Sequence, residues 1–327
     1  MMKFAQWGTK HGHAEGKLKS LLSNPDVEVA GVYEPDDSRR RSIENQAPWS
    51  EANFFVDPSN ILDDESIIAV ASEGANIESL DQTEAIVNAG KHVWYDKPAG
   101  NNWAKWKRIV TQARSQGTQL QMGFMFRYHT GFQQVAEWIL KGLLGDITSL
   151  RAHMSTNLPV KNREAFSIFK GGIFYDLASH MIDQIVWLLG RPSKITSFLR
   201  NDSDAKDCVD NSLCVFDYDG AIVFIDISAF ETSPTARRFE AYGTKGSAII
   251  LEPFEPGDRI RLSLEKDQDG FSSGEQIIDV KGHTRQELYD RELEALIKVL
   301  SGQCQPDRSY EHELLVQETL LRATGYI

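Results

Sequence analysis

Lys3-Phe4-Ala5-Gln6-Trp7-Gly8-Thr9-Lys10-His11-Gly12-His13 opens the chain, and Val27-Glu28-Val29-Ala30-Gly31-Val32-Tyr33-Glu34 follows after one intervening segment. Lys3 to Trp7 reads as a strand, Gly8 to His13 as a turn, and Ala14 to Ser23 as a helix. Val27 to Tyr33 is a second strand, and it ends on an acid. Glu34 stands about twenty positions beyond Gly12, the separation expected of a dinucleotide site. A glycine turn lets backbone N–H groups approach a pyrophosphate at a helix N-terminus. The acid can then accept hydrogen bonds from ribose hydroxyls. The pattern is incomplete, because Lys10 occupies the place of the second glycine. An ordinary strand–helix–strand turn would look much the same. Lys10 could itself reach a phosphate. His11 and His13 form an H-x-H pair with no third ligand evident nearby, so they are read as loop residues and no metal is assigned.

Outward from this stretch the alternation continues. Phe54 to Val56, Ser66 to Ala71, Val93 to Tyr95 and Gln119 to Met125 read as strands. Ile77 to Ala89 reads as a helix closed by Gly90, and Asn102 can cap another, with Trp106, Ile109, Val110 and Ala113 as its apolar stripe. Strands alternating with helices imply a parallel sheet covered on both faces. Ligands then bind at the C-terminal ends of the strands, where Gly8, Glu34, Asn76 and Lys97 all fall. Asn76 could equally be a simple helix cap.

Beyond Phe126 the pattern changes. Gly131 to Lys141 reads as a helix and Ser149 to Thr156 as a strand. Gly171 to Leu189 reads as a helix with Leu177, Met181, Ile185 and Leu188 on one stripe. Asp176 and His180 lie four apart on the same helix, off that stripe, as a plausible proton-transfer pair. A satisfied polar pair on a core helix would show the same spacing. From Ile195 to Leu264 strands dominate, with Asp219-Gly220 as a hairpin turn. Arg285 to Ser301 and Tyr310 to Ala323 read as helices. The expected division is residues 1–124, an α/β dinucleotide-binding domain, and residues 125–327, an α+β domain with a largely antiparallel sheet.

Composition excludes several classes of partner. The chain has 327 residues and a formal net charge of −12, with no long run of Lys or Arg. That argues against nucleic acid or an acidic membrane. No apolar run approaches a transmembrane span, and Met1 to Trp7 is too short and polar for a signal-peptide core. A cytoplasmic location is expected. Cys208, Cys214 and Cys304, odd in number and loosely spaced, suit reduced thiols.

Six segments together resemble one family, that of glucose–fructose oxidoreductase, inositol dehydrogenase and the rhizopine-catabolism protein MocA. They are Gly8–His13, Ala89–Val93, Asp96-Lys97-Pro98, Gly123–Tyr128, Gly171–His180 and Tyr242–Ser247. The resemblance covers nearly the whole chain. It implies an N-terminal Rossmann domain and a C-terminal domain with an open-faced sheet. It implies NAD as cofactor, with NADP possible, and a sugar, polyol or related secondary alcohol as substrate. Gly8, Thr9, Lys10, His11, Gly12, His13, Glu34, Asn76, Asp96 and Lys97 would then line the cofactor. The family's lysine near the reacting oxygen falls on Lys97, and its aspartate and proton-carrying histidine fall on Asp176 and His180. Tyr128, Arg163 and Lys170 become substrate candidates, although Lys161, Arg163 and Lys170 also suit a solvated loop face. Arg237 and Arg238 are weaker candidates, and Arg127 suits a bridge between the domains. A homodimer or homotetramer is expected. The chain departs from the family pattern at Lys10, at Asp96, where Glu is usual, and at Ile173, where a third glycine is common. Two other readings compete with a dehydrogenase. One is a glycoside-cleaving or eliminating enzyme that retains its NAD; the other is a cofactor-binding regulator without catalysis.

Overall fold

The computed structural model describes residues 1–327. The chain divides into two compact units, residues 1–124 with 289–314, and residues 125–288 with 315–327. The two-block division of the sequence leaves Tyr289–Leu314 with the second block; in the fold this segment belongs to the first unit.

The first unit is built on β1 (Met2–Trp7), α1 (Ala14–Ser23), β2 (Val27–Tyr33), α2 (Asp37–Ile43), β3 (Phe54–Phe55), α3 (Ser59–Leu62) and β4 (Ala69–Ser72). It continues through α4 (Ser79–Asn88), β5 (His92–Tyr95), α5 (Trp103–Gln116) and β6 (Leu120–Met122). The strands pair in parallel in the order β3-β2-β1-β4-β5-β6. This is the doubly wound dinucleotide-binding order, with its switch point beside β1. Successive residues of β5 show that both faces are covered. Trp94 joins Phe4, Ala71, Leu293 and Leu296 in one buried cluster, while Tyr95 meets the Trp106 ring of α5, centroids 5.8 Å apart. The returning segment is tied in by polar contacts too: Gln121 Nε2 donates to Glu292 O at 2.9 Å.

Element ends differ from expectation for local reasons. Residues 66–68 stay outside β4 because Asp64 forms a side-chain turn, accepting from Ser66 N at 2.8 Å. α2 was not anticipated, yet Asp36 caps it, accepting from Ser38 N and Arg39 N. β6 stops at Met122, and a 3₁₀ turn over Met125–Tyr128 follows. The N-cap of α4 is Glu78 and not Asn76.

The second unit holds α6 (Thr130–Leu140), β7 (Ile147–His153), α7 (Val160–Glu164), α8 (Gly172–Leu189), β8 (Lys194–Arg200), β9 (Asn211–Tyr218) and β10 (Ala221–Ser228). β11 (Arg238–Gly243), β12 (Gly246–Ile250), β13 (Arg259–Leu264) and β14 (Gly274–Asp279) complete the sheet. Its order is β14-β13-β12-β11-β7-β10-β9-β8. Every pair is antiparallel except β7–β10. α8 packs on β9 and β10. The polar edge strand β14 was missed, since Glu275 and Gln276 give it little apolar alternation. The helices α9 (Arg285–Leu300) and α10 (Tyr310–Ala323) close the chain.

Candidate active site

In the first unit the site starts at the β1 end. Gly8 has φ +90°, and a Cβ there would overlap the backbone nitrogen of Gly74. Only glycine lets this turn press against the loop after β4. His11 N donates to Glu73 O at 3.1 Å, and His13 N donates to His11 Nδ1 at 3.1 Å. Those two N–H groups are spent inside the protein, which leaves the Thr9, Lys10 and Gly12 N–H groups as the loop's donors toward an anion. The Lys10 ammonium pairs with two carboxylates. Its Nζ lies 3.3 Å from Asp36 Oδ2 and 3.2 Å from Glu78 Oε1. Glu34 is buried at the end of β2; Thr9 Oγ1 donates to its Oε2 at 2.6 Å and Asp36 N to its Oε1 at 3.0 Å. Arg39 Nε donates in turn to Thr9 Oγ1 at 3.2 Å.

Beneath the loop lies a buried charged cluster centred on Asp96. Its Oδ2 is 3.0 Å from His13 Nδ1, 3.3 Å from His11 Nδ1 and 3.1 Å from Lys17 Nζ. Lys17 Nζ is also 3.1 Å from Glu73 Oε1. The cluster grips the next residue on both sides: Lys97 N donates to Asp96 Oδ1 at 2.7 Å, and His11 Nε2 meets Lys97 O at 3.1 Å. Burial alone would raise the Asp96 carboxyl, but His11, His13 and Lys17 outweigh it and hold it well below the usual range. Burial lowers His13 to about 4, so that imidazole is neutral near pH 7. Burial also raises Glu73 well above the usual carboxyl range despite Lys17.

Sequence reasoning missed Lys17, Glu73 and Glu292. Lys17 carried a signal: it shares the buried face of α1 with Ala14, Leu18 and Leu21, where a charge needs partners. The Asp96 shortening is matched by three converging groups. The H-x-H pair gains its third neighbour across 83 residues, beyond the reach of a local pattern.

In the second unit, α8 carries Asp176 and His180 four residues apart. Gly172, φ +49°, starts the helix against Val209, whose carbonyl oxygen any Cβ would overlap. His180 is buried, its ring 5.1 Å from Phe126 in an edge-to-face contact. Ile173, in the place of the third glycine, is a fully packed core residue. Arg127 is a buried partner of Asp183 at 2.7 Å, with its guanidinium 4.4 Å from the Trp187 ring. That pair lies inside the second unit. Arg163 donates to Leu158 O at 3.2 Å and stacks over Phe230. Lys170 Nζ donates to Gly325 O at 3.1 Å. Arg163 is buried, whereas Lys161 and Lys170 stay exposed, as a solvated loop face requires. Tyr128 is buried at the 3₁₀ turn.

A six-stranded parallel sheet in this order, with a glycine turn after β1 and an acid after β2, defines a Rossmann dinucleotide-binding fold. Residues 5–124 match the profile of the oxidoreductase family with an NAD-binding Rossmann fold, and residues 132–249 match the GFO/IDH/MocA C-terminal domain. The chain belongs to the Gfo/Idh/MocA oxidoreductase family. It is 24% identical over 283 residues to an uncharacterized oxidoreductase, YdgJ, of Escherichia coli, covering 85% of this chain and 79% of that one. It is 25% identical to the myo-inositol 2-dehydrogenase of Thermotoga maritima, covering 79% and 80%. A levoglucosan dehydrogenase solved with NADH and levoglucosan shares the fold, with TM-score 0.84 and 16% identity over 99% of this chain and 97% of that one. No helix of this chain is long and apolar enough to cross a membrane.

Proposed function

We propose that this protein transfers hydride between NAD and a secondary alcohol or ketone of a sugar, polyol or related compound. The observation that carries the reading is the pair Asp176 and His180, four apart on α8, in a chain of an NAD-binding oxidoreductase family. The loop residues fit the dinucleotide. Gly8 has no room for a Cβ, the Thr9, Lys10 and Gly12 N–H groups suit the pyrophosphate, and Glu34 suits the ribose hydroxyls. The nicotinamide ring, when bound, supplies the hydride acceptor or donor.

The chain's own residues supply the rest. His180 exchanges the hydroxyl proton, since an imidazole titrates near neutral pH and serves both directions. Lys97 stabilises negative charge on the reacting oxygen, and the clamp on both sides of its peptide holds it ready. Asp176 orients His180 or a substrate hydroxyl. NAD is favoured over NADP because Glu34 repels a 2′-phosphate, although Arg39 stands beside it through Thr9. Support for a sugar-like substrate comes from the inositol and levoglucosan dehydrogenases among the similar proteins. The deciding experiment is a screen of sugars and polyols with NAD and NADP, following nicotinamide absorbance. Turnover with NAD on such an alcohol supports the reading; a tightly held cofactor with no net NADH on any of them contradicts it.

A further inference from the structure

We propose that Lys17 is a positioning residue for Lys97: through Asp96 and Glu73 it fixes both sides of the peptide that carries the Lys97 ammonium. The role deepens the reading of Lys97 as the group that stabilises charge on the reacting oxygen, and rests on it. Lys17 shares the buried face of α1 with Ala14, Leu18 and Leu21, and its side chain is fully buried. An ammonium is costly in such a place, and an apolar side chain of the same length would fill it without that cost. What the charge adds is the set of groups it joins.

Lys17 Nζ lies 3.1 Å from Asp96 Oδ2, 3.1 Å from Glu73 Oε1 and 4.4 Å from the centroid of the Trp94 ring. It therefore ties α1 to β5 and to the residues that follow β4 and β5. Two paths lead from it to Lys97. On the first, Asp96 turns Oδ2 toward Lys17 and accepts Lys97 N on Oδ1 at 2.7 Å. A carboxylate is planar, so holding Oδ2 also aims Oδ1. His13 Nδ1 spans the same two oxygens at 3.0 and 3.1 Å, but it is neutral near pH 7 and brings a hydrogen bond without a charge. On the second path, Glu73 takes Lys17 on its side chain, while its backbone oxygen accepts His11 N at 3.1 Å. His11 Nε2 then meets Lys97 O at 3.1 Å. Packing leaves the contact no slack. A Cβ at Gly123 would stand 2.8 Å from Asp96 Oδ1 and 3.1 Å from Lys17 Nζ. Gly123 does not have a positive φ, so the close approach of this pair, and not the backbone, excludes a side chain there.

The test compares the full wild-type chain with Lys17→Met in two ways. The first needs no substrate: lysines are acylated with an N-hydroxysuccinimide ester and their rates read by peptide mass spectrometry. Lys97 is 2% exposed and should react slowly in the wild type. Lys17→Met should speed it about fivefold or more, as local opening does. Buried Lys91 in the same unit and exposed Lys19 should not change. The second follows turnover on an alcohol that the wild type oxidises. Lys17→Met should lower kcat about ten- to hundredfold, the size expected of a small misplacement. It should cost nothing further in a chain that already carries Lys97→Ala, because its effect passes through Lys97. Unchanged acylation of Lys97, an equal rise at Lys91, or the same loss of kcat on the Lys97→Ala background overturns the role. A wild type without turnover on any alcohol sinks the dehydrogenase reading instead, and acylation alone then decides whether Lys17 positions Lys97. If Lys17→Met does not fold, Gly123→Ala disturbs the same contact with the charge in place, and the same acylation outcomes decide.

Discussion

His180 and Glu292 pose the two sharpest questions at the scale of a residue. If His180 moves the proton, His180→Ala lowers kcat by about two to four orders of magnitude and leaves NAD affinity nearly unchanged, which turnover and a cofactor titration measure. Lys97→Ala should also be slow and should weaken NAD binding. Combined, the two losses should be less than additive, because groups acting on one oxygen work as a unit. Near wild-type turnover of His180→Ala would remove it from the chemistry and favour Lys97 or Tyr128. Glu292 is fully buried in the first unit, and burial raises its carboxyl to about 8 from 4.5, with Asp96 adding to the rise and Lys17 and Arg308 opposing it. Between those values the folded chain holds a proton that the unfolded chain has lost. Its contribution is therefore complete below 4.5 and declines as pH rises toward 8, at up to about 1.4 kcal/mol per pH unit. Glu292→Gln should remove that decline. Urea midpoints of both chains across this window test it, and parallel slopes would contradict it.

Among the elements, α8 depends most sharply on one backbone position. Gly171 and Gly172 both have positive φ, and Val209 O occupies the space a Cβ at Gly172 would need. Gly172→Ala therefore combines left-handed strain with an overlap that backbone must relieve. A loss of about 1–3 kcal/mol is expected, read as a lower urea midpoint with unchanged slope. An unaltered midpoint would mean that the helix start shifts freely. The strain belongs to the element that carries Asp176 and His180, so turnover of this variant should fall along with its stability.

For the whole molecule the open question is what lies over the second sheet. α8 packs on one face. The opposite face carries Phe198 and Ile222, 55% and 59% exposed, with Val215 and Phe224 on the same side by strand alternation. Apolar groups on a sheet's outer face favour association. A homodimer or homotetramer is the expected state, measured by light scattering at micromolar concentration. A monomer would contradict it. Ile222→Glu should weaken the association while leaving the circular dichroism unchanged.

Much of this was legible in the chain, because periodicity and turn chemistry are local. The strand–turn–helix–strand opening, the acid after β2, the gain of strands past residue 190 and the α8 boundaries follow from spacing alone. The Asp176–His180 pair was legible for the same reason: 3.6 residues per turn makes neighbours of positions four apart. The cluster on Asp96 was not. Its members come from the loop after β1, from α1 and from the loops after β4 and β5, and no sequence spacing relates residues brought together by a parallel crossover. Likewise the roles of Lys10, Arg127 and Lys170 turned on their ion-pair and hydrogen-bond partners, Asp36 and Glu78, Asp183 and Gly325. A charged side chain reads the same in sequence whether it faces water, a ligand or a buried acid. Only the tertiary structure sets the distance and the dielectric that decide among them.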